Sequence, residues 1–152
     1  MKRMIGLFGT CGSSKWRKGF EKIYTELGIS FFNPEKENWQ PEYAVKEAKH
    51  LAEDQVLLFP VTGETYGVGS LCEIGFAVSQ AVKDDQKYLV VMIEENLAFD
   101  LKDEVARKES LRARTLVREH LKKLSCKNIY LVENLEQMLQ ISIDIYSKTA
   151  VV

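Results

Sequence analysis

The feature that most limits this chain is a strict alternation of short apolar runs with amphipathic stretches. MIGLFG (residues 4–9), ISFFN (29–33), VLLFPV (56–61), KYLVVMI (87–93) and NIYLV (128–132) have the length and residue types of strands. Between them lie stretches with helical spacing. Trp16 to Leu27 carries Trp16, Phe20, Ile23, Tyr24 and Leu27, with Gly28 placed to stop the helix. Pro41 to Asp54 has proline in its first turn, and Ser70 to Val82 follows a glycine-rich loop. Lys102 to Leu124 is long and charged, and Asn134 is placed to cap a last helix ending near Tyr146. Apolar runs without internal alternation belong to strands buried on both faces, and strict β-α alternation places them in a parallel sheet. The expectation is an α/β fold: a single-domain, doubly wound, five-stranded parallel sheet, flavodoxin-like, in the order 2-1-3-4-5. Pro60, near the end of the third run, suggests a bulge or an exit from the sheet.

A chain of 152 residues suits one domain, taken here as 1–152, with a full-sized core. The net charge of -1 offers no basic excess for a nucleic acid polymer. No run approaches the roughly 18 apolar residues of a membrane span. Cys11, Cys72 and Cys126 cannot all pair and show no CxxC spacing, so a reduced, cytoplasmic protein is the expectation. His50 and His120 have no partner at metal-ligand spacing, and no metal or cofactor is called for. The carboxylates of Glu47, Glu53 and Asp54 read as a mostly solvated face. Glu47 has most interest among them, because its helix leads into strand three.

Open parallel sheets bind ligands beyond the carboxyl ends of their strands, where the strand order reverses. Here that means the loops after strands one and three, GTCGSSKWR and TGETYGVGS, the richest in small residues. In the first, Gly9, Thr10 and Gly12 let backbone approach a ligand, and Ser13, Ser14 and Arg17 offer contacts to a sugar or phosphate. A tight turn with a serine cap is the plainer reading. Cys11 and Arg17 also stand at C-x5-R spacing, which resembles the phosphate loop of the low-molecular-weight tyrosine phosphatases. Lys18 stands where that family has Ser or Thr, and the chain has no Asp-Pro.

The second loop opens into GVGSLCEIG, residues 67–75. Ser70 and Glu73 have capping-box spacing, so each side chain can satisfy a stray backbone N–H at a helix start. The same position suits a nucleophile, since the helix dipole favours an ionised carboxylate. The two roles compete for the same oxygens, so a catalytic Glu73 should point away from the Ser70 N–H.

Together, the small-residue loop, the Asn33-Pro34 pair and Gly69-Ser70-Leu71-Cys72-Glu73-Ile74-Gly75-Phe76-Ala77 resemble the nucleoside 2-deoxyribosyltransferase superfamily. Its hallmark is G-T-x-x-E-[IL]-G-x-A, and the resemblance covers the chain to about Val82. It implies N-glycosidic cleavage or transfer on a nucleoside or nucleotide, with Glu73 forming a covalent glycosyl intermediate. It further implies that Gly9 to Arg17 hold the sugar 5′ end or a 5′-phosphate, and that Trp16, Phe32 and Trp39 line the base pocket. Asn33, Glu47, Gly69 and Ser70 complete the implied substrate contacts. The family's Asp two residues before G-T is Gly67 here, with Glu64 nearby, and its strand-one Tyr is absent. Sugar, base, phosphorylation state, and hydrolysis against transfer all stay open, as does a binding module without catalysis. In the family a neighbouring subunit completes the pocket. That implies a homo-oligomer, with Tyr146 a candidate to serve a partner's site.

Overall fold

A computed structural model describes residues 1–149; residues 150–152, the end of the expected domain, lie outside the described residues. The chain runs β1 (Lys2–Leu7), α1 (Trp16–Glu26), β2 (Phe31–Phe32), α2 (Tyr43–Glu53), β3 (Asp54–Val61), α3 (Val68–Lys83), β4 (Tyr88–Ile93), α4 (Glu104–Lys123), β5 (Ile129–Leu131) and α5 (Leu135–Lys148). The five strands form one parallel sheet in the order β2-β1-β3-β4-β5. This is the flavodoxin-like, doubly wound arrangement expected of the alternating pattern.

The pleat explains why the strand runs are apolar throughout. Side chains alternate between faces, and each face is covered. Ile5, Leu7, Val56, Leu58, Val90 and Met92 point to one side, where α1 supplies Phe20 and Tyr24 and α5 supplies Met138 and Ile145. Leu57, Phe59, Val61, Leu89, Val91 and Ile93 point to the other, beneath Leu51 of α2, Ile74 and Ala77 of α3, and Leu121 of α4. Most of these side chains are almost wholly buried. Each buried Val, Leu, Ile, Phe or Met among them contributes about 1.5–3 kcal/mol relative to exposure.

The helix ends follow local chemistry. Gly28 (φ +66°) closes α1, with Ile29 N–H donating to Tyr24 O at 2.8 Å and Gly28 N–H to Thr25 O at 3.2 Å, a Schellman ending. Asn134 caps α5 by accepting from Gln137 N–H, and Asp103 caps α4 by accepting from Ala106 N–H. Pro60 neither bulges β3 nor ends it: it stays in register with Met92 of β4. The β1–β3 pairing reaches only Leu58, so Pro60 has no donor to lose on that side. Its carbonyl accepts from Thr10 N–H at 2.9 Å as the β1–α1 loop begins.

Asp54 departs from the expected solvated face. It is wholly buried at the start of β3, facing His50 Nδ1 at 3.0 Å, and burial raises its carboxyl above the usual range. Tyr146 is buried too. Its hydroxyl accepts from Ser30 N–H, so it serves this chain's own core and not a partner's pocket.

A candidate active-site cleft at the switch point

β1 and β3 are neighbours in the sheet, and their outgoing loops part at its carboxyl edge. A cleft of about 660 Å³ opens there, walled by Gly9 to Gly12, Trp39, Ala44 and Glu47, and the segment from Gly67 to Glu73. Its size is that of a small-molecule site.

Two buried arginines shape the loops. Arg17, on α1, is 1% exposed. Its Nε donates to Leu7 O (2.9 Å), one terminal nitrogen to Thr10 O (2.7 Å), and the other to Phe8 O (3.2 Å) and Gly9 O (3.1 Å). Arg114, on α4, does the same for the second loop. It donates to the carbonyls of Val61, Thr62, Thr65 and Glu94 at 2.9–3.0 Å. Carbonyls that turn out of the sheet at a strand end lose their ladder partners, and burying them unpaired is costly; of the Arg114 set, Val61 O also keeps a backbone donor, Glu94 N–H at 3.0 Å. A five-donor guanidinium satisfies several at once. Glycine handles the closest approaches. A Cβ on Gly9 (φ +93°) would lie 2.6 Å from Pro60 O, and one on Gly67 (φ +68°) would lie 2.8 Å from Val61 Cγ1.

This arrangement corrects several sequence expectations. Arg17 is buried behind the loop and does not line the cleft; its donors go to four carbonyls, with one terminal nitrogen also 3.4 Å from Cys11 Sγ, so it is not free to grip a phosphate. Trp16 is core: its indole donates to Thr10 O at 3.0 Å and its ring meets Phe20 edge-on. Ser14 is buried, bonded to Glu64 and Thr62. Ser13 is exposed and does not line the cleft. Asn33 ties Glu21 to the Glu35 N–H instead of reaching a ligand. Phe32 packs in the core against the His50 ring. Gly9, Thr10, Gly12, Glu47, Gly69, Ser70 and Glu73 do meet around the cleft. Thr10 acts mainly as a brace, its Oγ1 accepting from Thr62 N–H at 2.9 Å and so tying the two loops together.

The capping box between Ser70 and Glu73 does not form. α3 begins two residues earlier, because Gly67 adopts the left-handed conformation at its N-cap and Leu71 N–H donates to Gly67 O at 2.9 Å. Ser70 is therefore already helical and Glu73 falls in the second turn. Neither side chain caps the helix. Glu73 is left facing the cleft, half-buried. Loss of hydration first, and then the charge of Glu47, push its carboxyl up to about 7, with Arg17 partly opposing. Glu47 shares the cleft wall with Glu73, and the two also border a second hollow of about 370 Å³ between α2 and α3. The Trp39 indole donates to Glu47 Oε1 at 2.8 Å. Trp39 itself is half-exposed on the cleft wall.

Sequence reading missed the second arginine clamp and Cys72, which is exposed at the cleft rim beside Cys11. Arg114 had no signal beyond a charged helix, since its burial depends on where α4 lands. At Cys11 desolvation outweighs the nearby guanidinium and pushes the thiol up, away from the thiolate a phosphatase needs. Lys and Arg are absent from the cleft lining among the described residues.

Fold and site together define a class: a doubly wound, flavodoxin-like domain with a carboxylate-bearing cleft at its topological switch point. No protein-family model matches the chain, and no curated protein sequence matches it. Among solved structures, the chain is similar to a TIR domain from the crystal structure of the RPS4 and RRS1 TIR domain heterodimer. The TM-score is 0.55 at 8% identity, over 94% of this chain and 96% of that one. At that identity the likeness is one of fold alone. Among the described residues, no helix is long and apolar enough to cross a membrane.

Proposed function

We propose that the protein cleaves or transfers the N-glycosidic bond of a nucleoside, with Glu73 as nucleophile. The observation that carries this reading is the placement of Glu73. It is freed from helix capping, faces a switch-point cleft, and shares its wall with Gly69, whose missing side chain leaves open space. In the first step a Glu73 oxygen bonds to the anomeric carbon as the carbon–nitrogen bond breaks. The base leaves with the electron pair and takes a proton from water in the open cleft. In the second step water, or the nitrogen of an acceptor base, displaces Glu73 from the same carbon, and the proton it sheds goes to solvent. Two displacements retain the anomeric configuration. Resemblance of Gly69 to Ala77 to the nucleoside 2-deoxyribosyltransferase hallmark supports the same chemistry. A homo-oligomer, as in that family, belongs to this proposal.

The geometry favours this over a Cys11/Arg17 phosphatase, since the thiol is raised and the guanidinium is spent on carbonyls. It also favours a nucleoside over its 5′-monophosphate, because the charged side chains lining the cleft are Glu47 and Glu73. The test is incubation with nucleosides and their 5′-monophosphates, with and without an acceptor base, followed by chromatography for free base. Base release abolished in Glu73→Ala supports the reading. Release equally fast in that variant refutes it. Binding without release, seen by thermal shift, would leave a nucleoside-binding module in its place.

A further inference from the structure

We propose that Glu47, held by the Trp39 indole, reads the 2′- and 3′-hydroxyls of a ribose, making the cleft selective for ribosides over 2′-deoxyribosides. The inference rests on Glu73 attacking the anomeric carbon. In a β-riboside the base projects from one face of the ring. An in-line nucleophile must approach from the other, and the 2′- and 3′-hydroxyls lie on that other face. A hydroxyl-reading group therefore belongs on the same wall as the nucleophile, one or two carbons away.

Glu47 meets that requirement. It and Glu73 both line the cleft and both border the adjoining hollow, and they are near enough for the charge of Glu47 to act on the Glu73 carboxyl. Trp39 Nε1 occupies Glu47 Oε1 at 2.8 Å, which fixes the carboxylate plane and leaves Oε2 to accept. A carboxylate only accepts, and a vicinal diol donates, so the match is one of chemistry as well as position. The bond from the 2′-hydroxyl strengthens as positive charge develops on the ring, so it acts on turnover as well as on binding.

Binding to the Glu73→Gln protein separates this inference from the reaction itself. Calorimetry is run with adenosine, 2′-deoxyadenosine and arabinosyladenine, and with the matching cytosine series. Arabinose turns the 2′-hydroxyl to the base-bearing face and so withdraws it from Glu47. The riboside is expected to bind about tenfold or more tighter than either analogue, the scale of one hydrogen bond to a charged acceptor. Adding Glu47→Ala should erase the gap. Trp39→Phe should narrow it by releasing the carboxylate. Equal affinity for the three sugars, a gap that survives Glu47→Ala, or no binding at millimolar concentration overturns the proposal. If the gap appears but wild type releases no base, the glycosidic reading fails and the hydroxyl site stands. If wild type releases base through Glu73 equally fast from riboside and deoxyriboside, and Glu47→Ala leaves that ratio unchanged, the hydroxyl site fails and the chemistry stands.

Discussion

Replacing Glu73 by glutamine should stabilise the protein, and only at neutral and alkaline pH. The carboxyl has a folded value of about 7 against an ordinary 4.5. Below 4.5 it is protonated in both the folded and the unfolded chain and imposes no electrostatic cost. Between 4.5 and 7 the folded chain keeps a proton that the unfolded chain has lost, so stability falls as pH rises through that window. Above 7 both are ionised, and folding carries the full cost of placing the charge in the cleft beside Glu47. At 1.36 kcal/mol per pH unit the upper limit is about 3 kcal/mol. The side chain still reaches solvent, which screens the charge, and about 1–2 kcal/mol is the working figure. Glutamine is neutral at every pH and avoids this cost. For a domain of this size, that predicts a Tm gain of about 2–8 °C at pH 8, shrinking towards zero near pH 4.5. Thermal melts of both proteins at several pH values, in low salt, measure it. Contributions from Asp54 and other groups that do not interact with Glu73 are common to both proteins and cancel in the difference. A Tm gap that is the same at pH 5 and pH 8, or a less stable variant at pH 8, would refute the electrostatic account. A variant that is more stable yet inert is the usual signature of a strained functional carboxylate.

Arg17→Ala should cost about 3–5 kcal/mol in chemical denaturation, because it removes the guanidinium donors from the carbonyls of Leu7, Phe8 and Gly9 in a buried loop and leaves Thr10 O with the Trp16 indole alone; a loss under 1 kcal/mol would return Arg17 to solvent. If Glu73 is the nucleophile, kcat/KM for base release should rise about tenfold per pH unit below 7 and level off above it, following ionisation of its carboxyl. A profile that falls through pH 7 would instead make Glu73 a proton donor. Glu47→Gln should move that limb to lower pH, since Glu47 is one of the two causes that raise it.

The sheet was legible in the sequence because its cause is local. A strand buried on both faces must be apolar at every position, and a crossover helix must show one apolar stripe; both patterns are written in consecutive residues. Strand order followed from the rules of doubly wound sheets, and the order placed the cleft at the loops after β1 and β3. Glu73 was legible for the same reason, as a carboxylate just inside the helix that leaves such a loop. Its freedom from capping was not. That depended on Gly67 taking a left-handed conformation under Val61 and Arg114, a contact between residues 47 positions apart. Arg17 shows the limit most clearly. In the sequence it is a cation beside a glycine loop, equally suited to a phosphate or to solvent. The fold turns it inward, because the carbonyls from Leu7 to Thr10, where β1 runs out into its loop, converge within reach of one guanidinium. Likewise Trp16 and Trp39 are both tryptophans near a cleft, yet one faces the core and the other lines the cleft. Apolar periodicity tells which residues are buried. The direction of a polar side chain is decided by which unpaired groups the rest of the chain brings within its reach, and that is settled only when distant segments meet.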